Sequence, residues 1–319
     1  MRYYLAKHSK DEIVNLDLLT YAGNPENLKN VEKNPRYHFV HGDIADGKVV
    51  DEIMKEGVDA VMNFAAESHV DRSINYPLVF IQTNIIGTQV LLQSALSHGV
   101  KKFVQVSTDE VYGTLGETGA FIESTPLAPR SPYSASKASA DFMCLAYVET
   151  YGLDVVITRC CNNYGPYQFP EKLIPLMIIN ALTGKKLPVY GDGMNVRDWI
   201  HVLDHCRALD IVLRNGKKGE VYNIGTSNEW HNIDLVKKIL AILEKSDDFI
   251  EFVKDRPGHD RRYAIDASKI MNELGWKPEI DFEQGLIDTV QWYQSSSEWW
   301  GKIISGEYRD YYKMMYEKR

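Results

Sequence analysis

The chain has 319 residues, of which 44% are hydrophobic and 25% charged, and its formal net charge is −8. This length and apolar content predict a large buried core, arranged in two lobes. The negative charge argues against nucleic acid or an anionic membrane as a partner, although a local group of cations can still bind a small phosphate-bearing ligand. Every apolar run is shorter than the roughly 20 residues that span a bilayer, and no signal-peptide pattern is seen.

Cysteine and histidine usage favours a reduced, metal-free protein. The cysteines have neither metal-site spacing nor a CxxC pair, and the histidines are not grouped with carboxylates. We therefore predict a cytoplasmic location and no metal. The cysteines are Cys144, Cys160, Cys161 and Cys206.

Short β-branched runs alternate with longer helical patterns in chain order. Strands that are buried on both faces and connected by helices form parallel sheets, so the alternation predicts an α/β fold. We expect a Rossmann-like, doubly wound parallel sheet in residues 1–165 and a smaller α/β lobe that binds substrate in residues 166–319. The predicted strands are 13–17, 37–43, 60–66, 102–108 and 155–161, and the predicted helices are 48–56, 77–98 and 132–151.

The start of the chain departs from this pattern. A dinucleotide-binding fold begins with a strand, a glycine-rich turn and a helix, but here Met1 leads directly into what is predicted to be the end of a helix. Without a first strand, the second and fourth strands of a 3-2-1-4-5-6 sheet face each other across about 10 Å. Either roughly 15–20 residues belong upstream, or the product is a non-catalytic remnant.

Tyr133 and Lys137 form the first candidate catalytic pair. Residues four apart on a helix share a face, so the ammonium can lie beside the phenol. An adjacent cation favours phenolate, which predicts a lowered tyrosine pKa and a base that can take a proton from an alcohol. Asp109 and Glu110 follow a predicted strand and are free for a second proton transfer.

Eight blocks of sequence resemble the extended short-chain dehydrogenase/reductase superfamily and, within it, the dTDP-glucose 4,6-dehydratase family. The resemblance covers essentially the whole chain. A lone YxxxK motif is weak evidence, whereas eight such blocks in order are strong. The blocks are residues 15–24, 64–73, 107–113, 133–137, 162–166, 171–175, 197–201 and 256–260.

The resemblance implies a reaction in which NAD is reduced and reoxidised within one turnover. Tyr133, with Lys137, takes the C4 hydroxyl proton of the sugar while NAD accepts the C4 hydride. Glu110 removes the C5 proton, and Asp109 protonates the C6 hydroxyl so that it leaves as water. Thr108 holds the hexose near its C4 oxygen. A raised pKa of Asp109 is expected, because two adjacent carboxylates share an enclosed site.

The resemblance also implies binding residues for both ligands, and a homodimer built on the helices around residues 78–92 and 138–147. Those two helices fit equally well as ordinary covers of the sheet. For NAD the implied residues are Asp17, Thr20, Asp43, Ile44, Ala65, Ala66, Ser68, Thr83, Tyr133, Lys137 and Asn163. For the nucleotide sugar they are Ser68, Thr108, Asn162, Lys172, Leu173, Pro188, Tyr190, Arg197, Asn232, Arg256 and His259.

Two related enzyme classes remain open alternatives. UDP-sugar 4-epimerases and UDP-glucuronate decarboxylases also use the Tyr/Lys pair to make a 4-keto sugar. Family epimerases usually carry small residues where this chain has Asp109 and Glu110, and the decarboxylases usually have serine where it has Asp109. Asp109 is therefore the discriminating residue, while dTDP and UDP are left unresolved as the nucleotide.

Overall fold

A computed structural model describes residues 1–306 of the chain. Parallel strands and surrounding helices confirm the predicted α/β class. The strands are β1 (Ile13–Asp17), β2 (Tyr37–His41), β3 (Ala60–Asn63), β4 (Lys102–Thr108), β5 (Val155–Cys160), β6 (Asn162–Tyr164), β7 (Leu187–Tyr190), β8 (Val196–His201), β9 (Val221–Ile224), β10 (Glu229–His231) and β11 (Ile250–Val253).

Twelve α-helices and four other helical turns connect these strands in the described residues. The α-helices are α1 (Arg2–Lys7), α2 (Gly47–Lys55), α3 (Val70–Asn75), α4 (Pro77–Phe80), α5 (Thr88–Ser97), α6 (Pro132–Tyr151), α7 (Leu173–Leu182), α8 (Val202–Asn215), α9 (Asn232–Ile242), α10 (Ser268–Leu274), α11 (Phe282–Ser295) and α12 (Ser297–Ile304). A π-helical segment, Ile81–Gly87, joins α4 to α5, and 3-10 turns cover Pro25–Leu28, Asp109–Tyr112 and Asp247–Phe249.

The main sheet has four parallel strands in the order β3-β4-β5-β9. Helices α2, α5 and α6 lie on one face and α8 and α10 on the other, with an apolar core on each side. Burial on both faces explains the β-branched runs from which β4 and β5 were predicted, whereas β9 was not predicted from the sequence. The register aligns Thr108 with Cys160, so β4 and β5 end side by side.

The strands β1 and β2 form a separate parallel pair, in register from Ile13 with Tyr37 to Asp17 with His41. Among the described residues β1 does not pair with β3, as the sequence predicted for a sheet without its first strand. Helix α1 is held nearby by Arg36, whose guanidinium donates to the carbonyls of Leu5, His8 and Asp11 at 2.6–2.9 Å.

A third apolar core lies in the second half of the chain. It is built from α7, α9 and α11 together with β7 and β8, and it includes Ile174, Leu240 and Val290. The sheets here are small, with β6 and β8 parallel and β8 and β10 antiparallel, while β7 pairs with β11.

The division of the chain at residue 165 stays a prediction, and residues 307–319 of the second predicted lobe lie outside the described residues. Segments that follow residue 165 also complete the main sheet, because β9 pairs with β5 and α8 packs on β4 and β5. Within residues 1–306, none of the helices has the length and apolar character needed to cross a bilayer.

Candidate active site

The predicted acid pair lies where β4 ends. Thr108 caps the 3-10 turn Asp109–Tyr112, since its hydroxyl oxygen accepts the amide of Glu110 at 3.3 Å. The same hydroxyl lies 3.3 Å from Asp109 Oδ1 and donates to it. Gly113 ends the turn with a φ of 90°, and a Cβ there would lie 2.5 Å from the carbonyl oxygen of Ala128. The backbone therefore fixes both carboxylates at the strand end.

The predicted Tyr/Lys pair lies on the first two turns of α6. Ser131 and Ser134 form a reciprocal capping box with two 3.0 Å hydrogen bonds, and Pro132 occupies the first helical position. Helix α6 packs on β4 and β5, which buries Tyr133 and Lys137. The Lys137 ammonium donates to the carbonyl of Val106 at 2.6 Å.

Burial governs the charge state of both carboxyls. It raises the pKa of Asp109 well above its ordinary value, and the neighbouring Glu110 carboxylate raises it further. The predicted direction for Asp109 is thereby confirmed. Burial also raises the pKa of Glu110, but Arg256, Arg197 and Lys172 oppose that shift. The two adjacent carboxyls therefore have different surroundings.

The expected lowering of the Tyr133 pKa is wrong. Burial raises the pKa of Tyr133 well above its ordinary value, the Glu110 carboxylate adds to the rise, and only a hydrogen bond with Thr108 opposes them among the principal causes. Burial likewise lowers the pKa of Lys137, and Asp141 is the principal group opposing that shift. Spacing on the helix identified the shared face. The principal cause of both pKa shifts is desolvation, because neither group lies in water, and neither residue is among the principal influences on the pKa of the other.

Cations converge on this site from distant parts of the chain. Arg197 is 5% exposed; it donates to the carbonyl of Asp260 at 2.8 Å and lies 4.2 Å from the Tyr263 ring centre. Arg256 and Lys172 act on Glu110 through charge, as described above. Since all three cations influence one carboxylate, the structure brings the predicted diphosphate-binding residues together with the acid pair.

Four of the residues predicted for NAD lie close in sequence to the ends of the separate strand pair. Asp17 ends β1 and is exposed, and its Oδ1 accepts the amide of Leu19 at 2.8 Å. Asp43 follows β2 and accepts the amide of Ala45 at 2.8 Å. Thr20 lines a cavity of about 580 Å³ bordered by residues of α12. Ile44 is buried against Gly87 at the end of the π-helical segment.

Asn84 in the π-helical segment holds the loop after β3 through hydrogen bonds. Buried Asn84 accepts the amide of Glu67 at 2.9 Å, donates to its carbonyl at 3.0 Å, and donates to Ser136 on α6 at 2.8 Å. Four residues predicted for NAD lie on this loop or on the π-helical segment. Ala65 and Ala66 are half-buried, Ser68 accepts the Lys172 ammonium at its carbonyl at 3.0 Å, and Thr83 precedes Asn84.

The remaining predicted residues lie at the ends or edges of elements. Asn163 Oδ1 in β6 accepts a hydrogen bond from the His205 ring nitrogen Nδ1 at 2.9 Å. Tyr190 is the last residue of β7, and its hydroxyl donates to Asp71 at 2.9 Å. The His259 ring lies 2.6 Å from Asp255, and burial lowers its pKa to about 4. Asn162, Leu173 and Asn232 are the first residues of β6, α7 and α9, and Pro188 lies in β7. The side-chain oxygen of Asn232 is buried and accepts no hydrogen bond from the described residues.

Sequence analysis missed three residues that border the site. Cys160 lies opposite Thr108 in the register, and it interacts electrostatically with Tyr133 and Lys137. Asp141 lies one turn beyond Lys137 and pairs with the buried Arg159 at 3.0 Å. Asp71 contacts Tyr190. An acid four residues after Lys137 on the same helix face was a readable signal for Asp141, whereas nothing local indicated the other two.

Proteins of known activity resemble this chain over most of its length. The model of the family described as GDP-mannose 4,6 dehydratase matches residues 1–289. A dTDP-glucose 4,6-dehydratase from Xanthomonas campestris pv. campestris is 53% identical over 316 residues, covering 93% of this chain and 90% of that protein. The dTDP-glucose 4,6-dehydratase 1 of Escherichia coli strain K12 is 51% identical, with coverage of 99% and 95%.

Solved structures agree with these matches. A dTDP-glucose 4,6-dehydratase from Streptomyces venezuelae, solved with NAD bound, has a TM-score of 0.93 at 51% identity and 95% coverage of both chains. A UDP-glucose 4-epimerase from Thermotoga maritima has a TM-score of 0.86 at only 29% identity, covering 92% and 94%. The fold is thus that of nucleotide-sugar-modifying, NAD-binding enzymes. Within that class, the chain belongs to the dTDP-glucose 4,6-dehydratase family.

Proposed function

We propose that this chain is an NAD-dependent lyase that converts dTDP-glucose into dTDP-4-keto-6-deoxyglucose and water. The observation that carries the proposal is the placement of Asp109 and Glu110 in one 3-10 turn at the end of β4, with different surroundings. Relatives near 50% identity that bear this activity support it. Epimerases share the fold at 28–29% identity, and an epimerase has no use for a second acid/base pair.

NAD is the cofactor that the candidate residues fit. Asp17 offers an exposed carboxylate suited to the two hydroxyls of a ribose, Ala65 and Ala66 leave room beside a flat ring, and Lys137 supplies an ammonium. Asp43, Ile44, Ser68, Thr83, Thr20 and Asn163 complete the set. When bound, NAD accepts a hydride from the sugar, returns it later, and carries a positively charged ring.

The first step oxidises C4 of glucose. Tyr133, supported by Lys137, takes the C4 hydroxyl proton as the C4 hydride leaves, and Thr108 holds the C4 oxygen through its hydroxyl. Tyr133 must be a phenolate before it can take this proton. The Lys137 ammonium, held by the Val106 carbonyl on the same buried face, would favour that phenolate, as would the positively charged ring of NAD when it is bound. Enclosure strengthens this interaction relative to water.

The second step eliminates water across C5 and C6. The new 4-ketone acidifies the C5 proton, which Glu110 removes in its ionised form, favoured by the surrounding cations. Asp109, protonated because its pKa is raised, gives its proton to the C6 hydroxyl, which leaves as water. The hydride would then be returned to C6, and Glu110 gives its proton back to C5. Tyr133 has gained one proton and Asp109 has lost one, so proton exchange with solvent restores both groups without net change.

The binding roles follow the positions of the cations and small-lobe residues. Arg197, Arg256 and Lys172 face the diphosphate, since guanidinium and ammonium groups are its natural partners. Ser68 and Asn162 lie on the sugar side. The nucleoside is left to the residues along β7 and α9 and their neighbours, namely Leu173, Pro188, Tyr190, Asn232 and His259.

Exposed apolar residues on α4, the π-helical segment and α6 support a homodimer. Leu78 is 74% exposed and Phe142 57%, and Val79, Ile81 and Ile86 are also exposed. These three elements pack on one another, and exposed apolar residues on neighbouring helices favour association of two copies. Leu78→Asp is expected to shift the mass measured by light scattering from dimer to monomer. The free thiols Cys144 and Cys161, both buried, support a reducing, cytoplasmic setting.

Mass spectrometry of the product tests the reaction directly. The full chain with NAD should convert dTDP-glucose into a nucleotide sugar lighter by one water. A product of unchanged mass with galactose configuration would instead establish an epimerase. With Asp109→Asn, oxidation at C4 should continue while water loss slows by roughly 100-fold. Normal water loss in that variant would remove Asp109 from its role.

A further inference from the structure

Asp71 occupies a buried position between the cofactor side and the nucleotide side of the site. It is the second residue of α3 and only 3% exposed. Its Oδ2 accepts the hydroxyl of Tyr190 at 2.9 Å, across 119 residues of sequence. The contact therefore joins the start of α3, which follows the loop after β3, to the end of β7.

The other oxygen of the same carboxylate faces an arginine. Arg256 Nη1 lies 3.9 Å from Asp71 Oδ1, which is an ion-pair distance too long for a hydrogen bond. Both Asp71 Oδ1 and Arg256 Nε are buried and make no hydrogen bond. Unpaired buried polar atoms are costly, so they are retained where they serve a site.

The same loop also reaches a third predicted nucleotide-binding residue. The carbonyl of Ser68, three residues before Asp71, accepts the Lys172 ammonium at 3.0 Å. Residues 68–71 thus contact Lys172, Tyr190 and Arg256, which come from three separate parts of the smaller lobe. Resting on the proposed function, we propose that Asp71 is a positioning residue, which sets Tyr190 and Arg256 for the nucleoside diphosphate of the substrate.

A role of Asp71 through its charge and a role through positioning predict opposite effects of its replacement on anion binding. Arg256 is a cation beside a phosphate site, and removing a neighbouring negative charge should strengthen anion binding by Coulomb's law alone. If Asp71 acts by holding Arg256 and Tyr190 in place, its replacement should weaken binding. The sign of the effect therefore separates the two roles.

Asp71→Asn is the main test, because asparagine keeps an oxygen for the Tyr190 hydroxyl and removes only the charge. In the NAD-loaded full chain we expect the Kd for dTDP, measured by calorimetry, and the KM for dTDP-glucose to rise about tenfold. The kcat should stay within about twofold, since the acid pair and Tyr133 are untouched. Equal or tighter dTDP binding, or a loss confined to kcat, would overturn the proposal.

Two further variants keep the test decisive. Asp210→Asn is the matched control: Asp210 is also 3% exposed and pairs with Arg214 at 3.2 Å, but on α8 rather than beside the substrate site, so dTDP binding should not change. Tyr190→Phe removes one hydrogen bond and no charge, and should weaken dTDP binding about threefold even if Asp71→Asn does not fold. Unchanged binding in Tyr190→Phe would contradict the proposal.

Failure of the proposed function gives a different result. A wild-type chain that does not dehydrate dTDP-glucose refutes the reaction, whereas the dTDP titration of Asp71→Asn against wild type is read without turnover. The two outcomes are measured separately.

Discussion

The four-stranded sheet and the β1–β2 pair carry the two halves of the proposed site in contrasting surroundings. In β4, Phe103 and Val104 are fully buried, and the strand leads into the enclosed acid pair. In the strand pair, Val14 and Phe39 are each 45% exposed, and β1 ends in the exposed Asp17. Both regions are parallel β-structure, but only one is covered on both faces.

This difference matches what each half is proposed to do. Moving protons between carbon, oxygen and carboxyl groups needs carboxyls with shifted pKa values, and burial raises the pKa of both Asp109 and Glu110. Holding the hydroxyls of a ribose needs only an accessible carboxylate, which Asp17 provides. Rigidity and low polarity are thus concentrated where bonds change.

The largest effect should come from Tyr133→Phe on the buried side. Loss of the phenolic oxygen leaves no group to take the C4 hydroxyl proton, so cofactor reduction in a single turnover should slow by roughly 1,000-fold. Absorbance of the reduced cofactor measures it. Tyr151→Phe, at the exposed end of the same helix, is the control and should match wild type. Wild-type cofactor reduction in Tyr133→Phe would refute the catalytic role.

The next prediction compares one phenylalanine from each region. Phe103→Ala leaves a cavity in a closed core and should lower the free energy of unfolding by about 3–5 kcal/mol. Phe39→Ala removes a ring that already contacts water and should lower it by less than about 1 kcal/mol. Urea unfolding measures both. Losses of equal size would erase the contrast between the two regions.

Asp17→Asn tests the exposed side by affinity alone. Asparagine can still accept the Leu19 amide, so the turn after β1 is kept while the charge for the ribose hydroxyls is lost. The Kd for NAD should rise roughly tenfold, with kcat unchanged at saturating NAD. Asp59→Asn, at a fully solvated ion pair with Lys101, provides a charge-matched control for calorimetric titration. An unchanged Kd would remove Asp17 from the NAD site.

The smallest expected effect is on stability, which the protein loses when the buried Asp109 carboxyl ionises. The pKa of Asp109 is raised in the folded state. Its contribution to the free energy of unfolding is therefore complete below the ordinary carboxyl pKa and is lost as the pH rises toward the folded-state pKa. Asp109→Asn avoids this loss. Its Tm should exceed that of wild type by about 2 °C at neutral pH and converge with it in acid. A gain independent of pH would contradict the linkage.

Sequence reasoning succeeded where the signals were local. The ends of β1, β4 and α6 were predicted to the residue, because β-branched runs, Asp17 and the Ser131–Pro132 start are strong boundary signals. The predicted helix over 77–98 instead contains a π-helical segment, since its continuous apolar residues give no hint of altered hydrogen bonding. The strands β6 and β10 have three residues each, which is too few for a period to appear.

The rest depends on tertiary contacts that no local pattern records. Asp71 was part of a recognised block, but its partners lie 119 and 185 residues away. The Tyr133 pKa was wrong in sign because helical spacing reports proximity and says nothing about desolvation. Positions on one helix can thus be predicted to share a face, while their charge states depend on what covers that face.

The π-helical segment has a consequence for how two copies of the chain would communicate. Its inner side carries Asn84, which fixes the loop that leads to Asp71, and its outer side exposes Ile81 and Ile86. In the proposed homodimer a second copy would lie against that outer side. The same short segment would then contact both the partner and, through Asn84, the loop that leads to Asp71.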